Sequence, residues 1–295
     1  MEHSSMAYTQ LNQQLVIKKD DKFIPLFNAE DVNRDKFFHL RKQLINLGCH
    51  QDDVLPIAKR LCMDILQISD EAKYLQYILE DTYQQCKQNI NSGYDVCPIQ
   101  DIQTNQYSHI NLFSSIYGFE IEYLKSKGIY SEIADIGCGE GIFVKLAKDY
   151  NIDAVGYEIE KPIFSHNVKI NLIKDFYDIK KPYECIIYNH VLEHNTISPA
   201  IYLKLVINHF EKNIKSNKLS LIIISLPMHL NIQSHLASKH YWVCTDKTYL
   251  KDDLKKSLEK NNLKIFNPTE AFLEIFKNYK LTINNKIGVY VLEKQ

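Results

Sequence analysis

Two groups of residues in this chain have types and spacings suited to chemistry. The first is Asp135-Ile136-Gly137-Cys138-Gly139-Glu140-Gly141, followed further on by Glu158. Glycine has no Cβ, so a loop built on alternate glycines can take positive φ and bring its backbone close to a ligand. N–H groups at the start of a following helix suit an anionic group, and a carboxylate at the end of the next strand suits hydroxyls. The second group is rich in histidine. His190 and His194 bracket Glu193 in Tyr188-Asn189-His190-Val191-Leu192-Glu193-His194, and His229, His235 and His240 follow. Imidazole titrates near neutral pH and can take a proton from an oxygen or a protonated amine. His194 is the first candidate for such a base, with His229 and His240 as alternatives, and the sequence leaves the choice among them open.

The elements that must position these groups are legible around the glycines. Ile133–Ile136 reads as a short strand stopped by Gly137. A helix begins with Ile142, Phe143 and Val144, and a second strand, Ala154–Tyr157, ends on Glu158. Strand, glycine turn, helix, strand and acid is the order of a nucleotide-binding βαβ unit. A dinucleotide fingerprint would need its third glycine at position 142, which is isoleucine. Asp135-x-Gly137-x-Gly139-x-Gly141 instead resembles the first motif of class I S-adenosylmethionine (SAM) methyltransferases. That resemblance implies that Asp135, Gly137, Cys138, Gly139 and Gly141 lie against the methionine end of SAM and that Glu158 binds the ribose hydroxyls. It also implies that Asp175 and Phe176 meet the adenine, through a carboxylate and a backbone N–H, and that Asn189 lies beside the methionine end. The segment Val191-Leu192-Glu193-His194, with Pro199 beyond it, is similar to methyltransferases of the ubiquinone-biosynthesis-like group, many of which act on small molecules. It departs from them at Lys215-Ser216-Asn217-Lys218, where that group carries Lys-Pro-Gly-Gly.

His190 to His194 also spells the inverted zinc-protease motif. That chemistry needs both histidines on one helical turn, and here His190 directly follows the apolar strand Cys185–Tyr188. His190 is therefore expected in a turn, and no metal is expected.

Strands and helices alternate along the rest of the chain. Beyond the βαβ unit, a short helix is expected from Pro162 and strands at Leu172–Ile173, Cys185–Tyr188, Leu219–Leu226, Leu263–Phe266 and Ile287–Leu292. Helices are expected over 199–214 and 246–260. This pattern predicts an α/β fold, a Rossmann-like seven-stranded methyltransferase sheet by the resemblance, with an antiparallel final strand. Ahead of it, residues 11–27 read as a hairpin and residues 31–89 as three helices, the later two opening at Asp52 and at Ser69 or Asp70. Residues 91–106 read as a linker, and 108–126 as the helix leading into the first strand. The expected domains are thus 1–106, an N-terminal hairpin and helical domain serving as lid, substrate or dimer contact, and 107–295, the methyltransferase domain.

Composition narrows the classes. The net charge is −1, and the only arginines, Arg34, Arg41 and Arg60, lie in the N-terminal third. Bidentate phosphate or base contacts cannot come from the glycine-loop region, so a nucleic-acid partner is not expected. Seven cysteines without a C-x-x-C pair suit free thiols in a reducing compartment. No signal peptide or membrane span is visible, which makes a cytoplasmic location the expectation. The resulting expectation is a SAM-dependent methyltransferase acting on an O or N atom of a small-molecule acceptor, with a homodimer left open. A methyltransferase acting on protein or RNA and a non-catalytic SAM-binding regulatory protein are the alternatives.

Overall fold

The computed structural model describes residues 7–11, 14–19, 22–28, 34–93, 109–162, 166–213, 218–228, 230–245 and 252–295. Strands β1 (Ala7–Leu11), β2 (Gln14–Lys19) and β3 (Lys22–Asn28) form an antiparallel three-stranded sheet. The expected hairpin is therefore β2–β3, and β1 joins it as a further strand. Helices α1 (Arg34–Asn46), α2 (Gln51–Ile65) and α3 (Glu71–Asn91) follow. Asp70 caps α3 by accepting from the N–H groups of Ala72 and Lys73 at 2.8 and 3.2 Å, and His50, not Asp52, stands at the cap of α2. Leu40 and Leu44 of α1 meet Val54, Ala58, Leu61 and Cys62 of α2, and Tyr74 and Ile78 of α3, in a core of their own. This i, i+4, i+7 spacing sets one apolar stripe per helix. The second half of α3 turns elsewhere. Leu79, Tyr83 and Cys86 join the core of α4 (His109–Ser126) and of the main sheet. The expected linker, apart from Asn91–Gly93 at its start, lies outside the described residues.

The main sheet is built from β4 (Ile133–Ile136), β5 (Ala154–Glu158), β6 (Ile170–Leu172), β7 (Cys185–Asn189), β8 (Leu221–Ser225), β11 (Tyr279–Asn284) and β12 (Val289–Lys294). Their order is β11-β12-β8-β7-β4-β5-β6. The run from β8 to β6 is parallel, and β12 pairs antiparallel to both neighbours. The chain order reverses at β4, between β5 and β7, so the ligand crevice belongs beyond the carboxyl ends of β4 and β7. Helices α5 (Ile142–Asp149) and α6 (Pro199–Asn208) are among the crossovers.

Side chains alternate across a strand with period two, and both faces are covered. Ala134, Ile136, Ile186, Tyr188, Ile222 and Ile224 enter one core. Ile133, Cys185, Ile187, Leu221 and Ile223 enter the other, shared with α4 and α5. The same alternation carries three polar residues, Asp135, Asn189 and Ser225, onto the α4 face.

Several expectations are corrected. Leu263–Phe266 is not a strand of the main sheet. It forms β10 (Lys264–Phe266), paired parallel with the unforeseen β9 (Trp242–Cys244), and the strand beside β12 is β11. Helices α7 (Ile232–Ala237) and α9 (Pro268–Ile275) were also unforeseen, and α6 gives way to a π-helical turn at His209–Asn213. The helix expected from Pro162 falls partly on residues 163–165, outside the described residues, and beyond them His166 and Asn167 form a turn with φ of 46° and 57°. Of the helix expected over 246–260, the described part is α8 (Asp252–Lys260). Among the described residues, no helix is long and apolar enough to cross a membrane.

Candidate active site

The glycine loop is tied to the end of β5. Gly137 and Cys138 donate their N–H groups to the carbonyl of Tyr157 at 2.8 and 3.1 Å. Glu158 closes the arrangement. Its Oε2 accepts from the N–H of Gly139 at 2.8 Å, and its Oε1 accepts from its neighbour Ile159 at 2.8 Å. The loop and the expected ribose acid are therefore already in register. Gly137 has φ of 74° and Gly139 has φ of 52°, the region that favours glycine. A Cβ at Gly137 would lie 2.5 Å from Cγ2 of Val191, whereas a Cβ at Gly139 would meet nothing within 4 Å. Gly137 thus seats the loop that follows β7, and Gly139 borders open space. Cys138 is half-buried with its thiol pKa pushed up by burial, which leaves it a packing residue against Gly156.

Behind the loop lies a buried acidic network. Asp135 is 1% exposed, and Glu120 on α4 is fully buried. Ser225 donates its hydroxyl to Asn189 Oδ1 at 2.8 Å, and Asn189 Nδ2 donates to Glu120 Oε2 at 3.1 Å. Among the described residues, Asp135 Oδ1 and Glu120 Oε1 have no hydrogen-bond partner. Burial, followed by the charge of Glu158, raises the Asp135 pKa from 3.8 to about 8. Burial, outweighing the bond from Asn189, holds Glu120 well above the carboxylate range. Two desolvated acids with unused lone pairs, next to a loop that borders open space, fit a cationic group such as an ammonium or sulfonium. Glu120 was not singled out from the sequence. It stands four residues from both Ile116 and Leu124 on the buried stripe of α4, where a glutamate is out of place without a purpose.

Asp175 and Phe176 sit beyond β6. Asp175 Oδ1 caps a 3-10 turn at Phe176–Asp178 by accepting from Tyr177 N at 2.7 Å. The Phe176 ring is buried against Tyr202 and His209, so its backbone N–H is the part able to reach a ligand ring.

After β7 the chain turns sharply. His190 has φ of 54° and its N–H donates to the Ser225 carbonyl at 3.2 Å. Leu192–His194 is a single 3-10 turn, so His190 and His194 share no α-helical face, as expected. The turn nevertheless becomes a cluster. The rings of His194 and His240 meet edge to face with centroids 4.6 Å apart. Glu193 is fully buried between His190 Nδ1 at 3.4 Å and His240 Nε2 at 3.9 Å. His235, buried in α7, shares a 2.8 Å Nδ1–Nδ1 hydrogen bond with His240. Two backbone-anchored contacts hold the halves together: Tyr241 N donates to the Glu193 carbonyl at 2.8 Å, and Trp242 Nε1 donates to the Asn195 carbonyl at 2.7 Å. His194 and His240 are thus brought together, while His229 lies outside the described residues.

Residues 119–266 match the family described as Methyltransferase domain, which spans α4 to β10 and includes every residue of this crevice. The chain belongs to that family. It is a class I SAM-dependent methyltransferase, and its cofactor is SAM. Solved structures similar to it include the methyltransferase domain of a bacterial Hen1 protein, at 16% identity over 62% of this chain and 99% of that one, with a TM-score of 0.38. The plantazolicin methyltransferase BpumL with a desmethyl analogue and SAH matches at 15% identity over 74% and 98%, with a TM-score of 0.42. Magnesium protoporphyrin IX methyltransferase from Synechocystis PCC 6803 with bound SAH matches at 14% identity over 64% and 88%, with a TM-score of 0.36. No curated protein matches this methyltransferase.

Proposed function

We propose that this methyltransferase transfers the methyl group of SAM to an oxygen or nitrogen atom of a small-molecule acceptor. The observation that carries the reading is the cluster that His240 forms with His190, Glu193 and His194, which lie on a turn that Val191 seats directly on Gly137. A proton-handling group therefore stands next to the loop assigned to the methionine end of SAM.

SAM supplies an activated methyl on a sulfonium, so displacement in line removes a positive charge. The protein's part is alignment in a dry site and removal of the acceptor's proton. In this reading Glu158 turns from the N–H of Gly139 toward the ribose hydroxyls. Asp135 and Glu120 face the ammonium, Asn189 fixes Glu120, and the N–H of Phe176 and the carboxylate of Asp175 face the adenine. The small acceptor is supported by the absence of arginine beyond Arg60, and α1 and α2 pack on α7 beside the cluster. The N-terminal helices act as the lid of the acceptor side.

The test is incubation of the purified chain with methyl-deuterated SAM and fractionated metabolite extract, read by mass spectrometry. A product heavier by the labelled methyl, on O or N, is the expected result. Labelling confined to protein or RNA would overturn the small-molecule acceptor, and SAM binding without any labelled product would overturn turnover.

A further inference from the structure

We propose that Glu193, His194 and His240 form a binding site for one divalent transition-metal ion, which holds an acceptor hydroxyl beside the methyl donor. The proposal deepens the methyl-transfer reading and rests on it for the role of the ion, not for the site itself.

The three residues each offer a ligand atom, and these atoms lie within 4.8 Å of one another. The second observation is Glu193 itself. It is fully buried, and among the described residues neither Oε1 nor Oε2 has a hydrogen-bond partner. A carboxylate taken out of water and left without a partner is strongly unfavourable. Its nearest cationic candidates, at 3.4 and 3.9 Å, stand beyond normal hydrogen-bond length. An ion seated between the carboxylate and the two imidazoles satisfies all three at once.

The surroundings have the form of a supported site. A ligating histidine characteristically holds its other ring nitrogen in a hydrogen bond, which fixes tautomer and orientation. His240 does this through Nδ1 to His235 at 2.8 Å, and it presents Nε2 toward Glu193. The bonds from Tyr241 and Trp242 to the turn at 193–195 lock the segment bearing His240 against the segment bearing the other two donors. This is not the protease arrangement. There both histidines of the motif ligate and the glutamate is the base; here Glu193 is a ligand and His190 is not.

One carboxylate and two imidazoles suit Mn²⁺, Co²⁺ or Zn²⁺ better than Mg²⁺ or Ca²⁺, which prefer all-oxygen shells. Three protein donors leave coordination positions open for an acceptor oxygen. Binding there lowers the hydroxyl pKa, and the proton leaves to water. The oxygen lone pair then forms the O–CH₃ bond as the S–CH₃ bond breaks. The pair of that broken bond stays on sulfur, and the sulfonium becomes a neutral thioether.

The experiment uses the full chain prepared without a polyhistidine tag and stripped with chelator. It is titrated with CoCl₂ or MnCl₂ alone, with calorimetry, the visible absorption of bound Co²⁺ and melting temperature as readouts. The expected result is one ion per chain, a ligand-field band and a higher melting temperature. Glu193→Gln and His240→Asn should each weaken binding about tenfold or more. SAM affinity in the same variants, measured separately, shows that they fold. Absence of saturable binding by the wild-type chain, or unchanged binding in both variants, would overturn the site. Ion binding without SAM binding would preserve the site and overturn its role in methyl transfer.

Discussion

Asp135 gives the sharpest quantitative expectation. Its pKa rises from 3.8 to about 8, through burial first and the charge of Glu158 second. A carboxyl whose folded-state pKa is raised contributes stability fully below its unfolded pKa and loses it as pH climbs through the folded value. At about 1.4 kcal/mol per unit the whole shift is worth about 6 kcal/mol, of which about 3 kcal/mol is lost between pH 6 and 9. Asp135→Asn removes this titration while keeping the shape. The wild type should therefore lose stability relative to the variant over that interval, read from urea melts at successive pH values. SAM adds a second expectation. Its cationic end favours the ionised carboxyl, so binding at pH 7 should expel protons from the wild type and about one fewer from the variant. Calorimetry in phosphate and in Tris separates the two, because the apparent enthalpies differ by the protons released times the difference in buffer ionisation enthalpy. Equal enthalpies in both buffers, with parallel pH dependence of stability for the two proteins, would refute the placement of Asp135 beside the cationic end of SAM.

Other substitutions address the rest of the crevice. Gly139→Ala adds a Cβ with nothing within 4 Å at a φ of 52°, so the chain should fold at a cost of about 1–2 kcal/mol yet bind SAM at least tenfold more weakly; retained affinity in calorimetry would move the cofactor off this loop. Glu158→Ala should cost about 1–3 kcal/mol of SAM affinity by removing hydrogen bonds to a charged group, and an unchanged dissociation constant would deny it the ribose. His194→Asn should leave SAM affinity within a few-fold and lower turnover by about 10²–10⁴. Measuring ion content in that variant tells its two roles apart: a proton acceptor leaves the ion in place, and a ligand does not.

The glycine-loop half of the crevice was legible because it is local. The glycine spacing, the strand before it and Glu158 after it all lie on one βαβ unit, where period-two alternation and a tight turn leave few arrangements. The turn at His190 was legible for the same reason: a residue directly after a strand cannot share a helical face with the residue four further on. The partnership of His194 with His240 was not legible. It depends on β9, a three-residue strand that pairs outside the main sheet with β10, and no periodicity announces such a pairing. Strand β11 escaped notice because Tyr279–Asn284 lies on the sheet edge with most of its side chains half-buried, which blurs the apolar alternation.

The two halves of the crevice rest on different supports. Asp135, Asn189 and Ser225 project from three adjacent parallel strands onto one helix, α4, so their geometry is set by backbone pairing on both sides. His235 and His240 belong instead to the segment carrying α7, which is buttressed by α1 and α2. A small apolar cluster of Val243, Leu258 and Leu263, with Ile232 and Leu236 beside it, holds the same segment from below. The Lys239–Asp52 ion pair at 3.0 Å is exposed and adds little; the packing of α1 and α2 on α7 is what couples the N-terminal helices to the cluster. The N-terminal helices are therefore one support of His240 beside Glu193, together with the bonds from Tyr241 and Trp242 to the turn at 193–195. A change in those helices acts on the histidine cluster first and on Asp135, Asn189 and Ser225, built into the sheet, last.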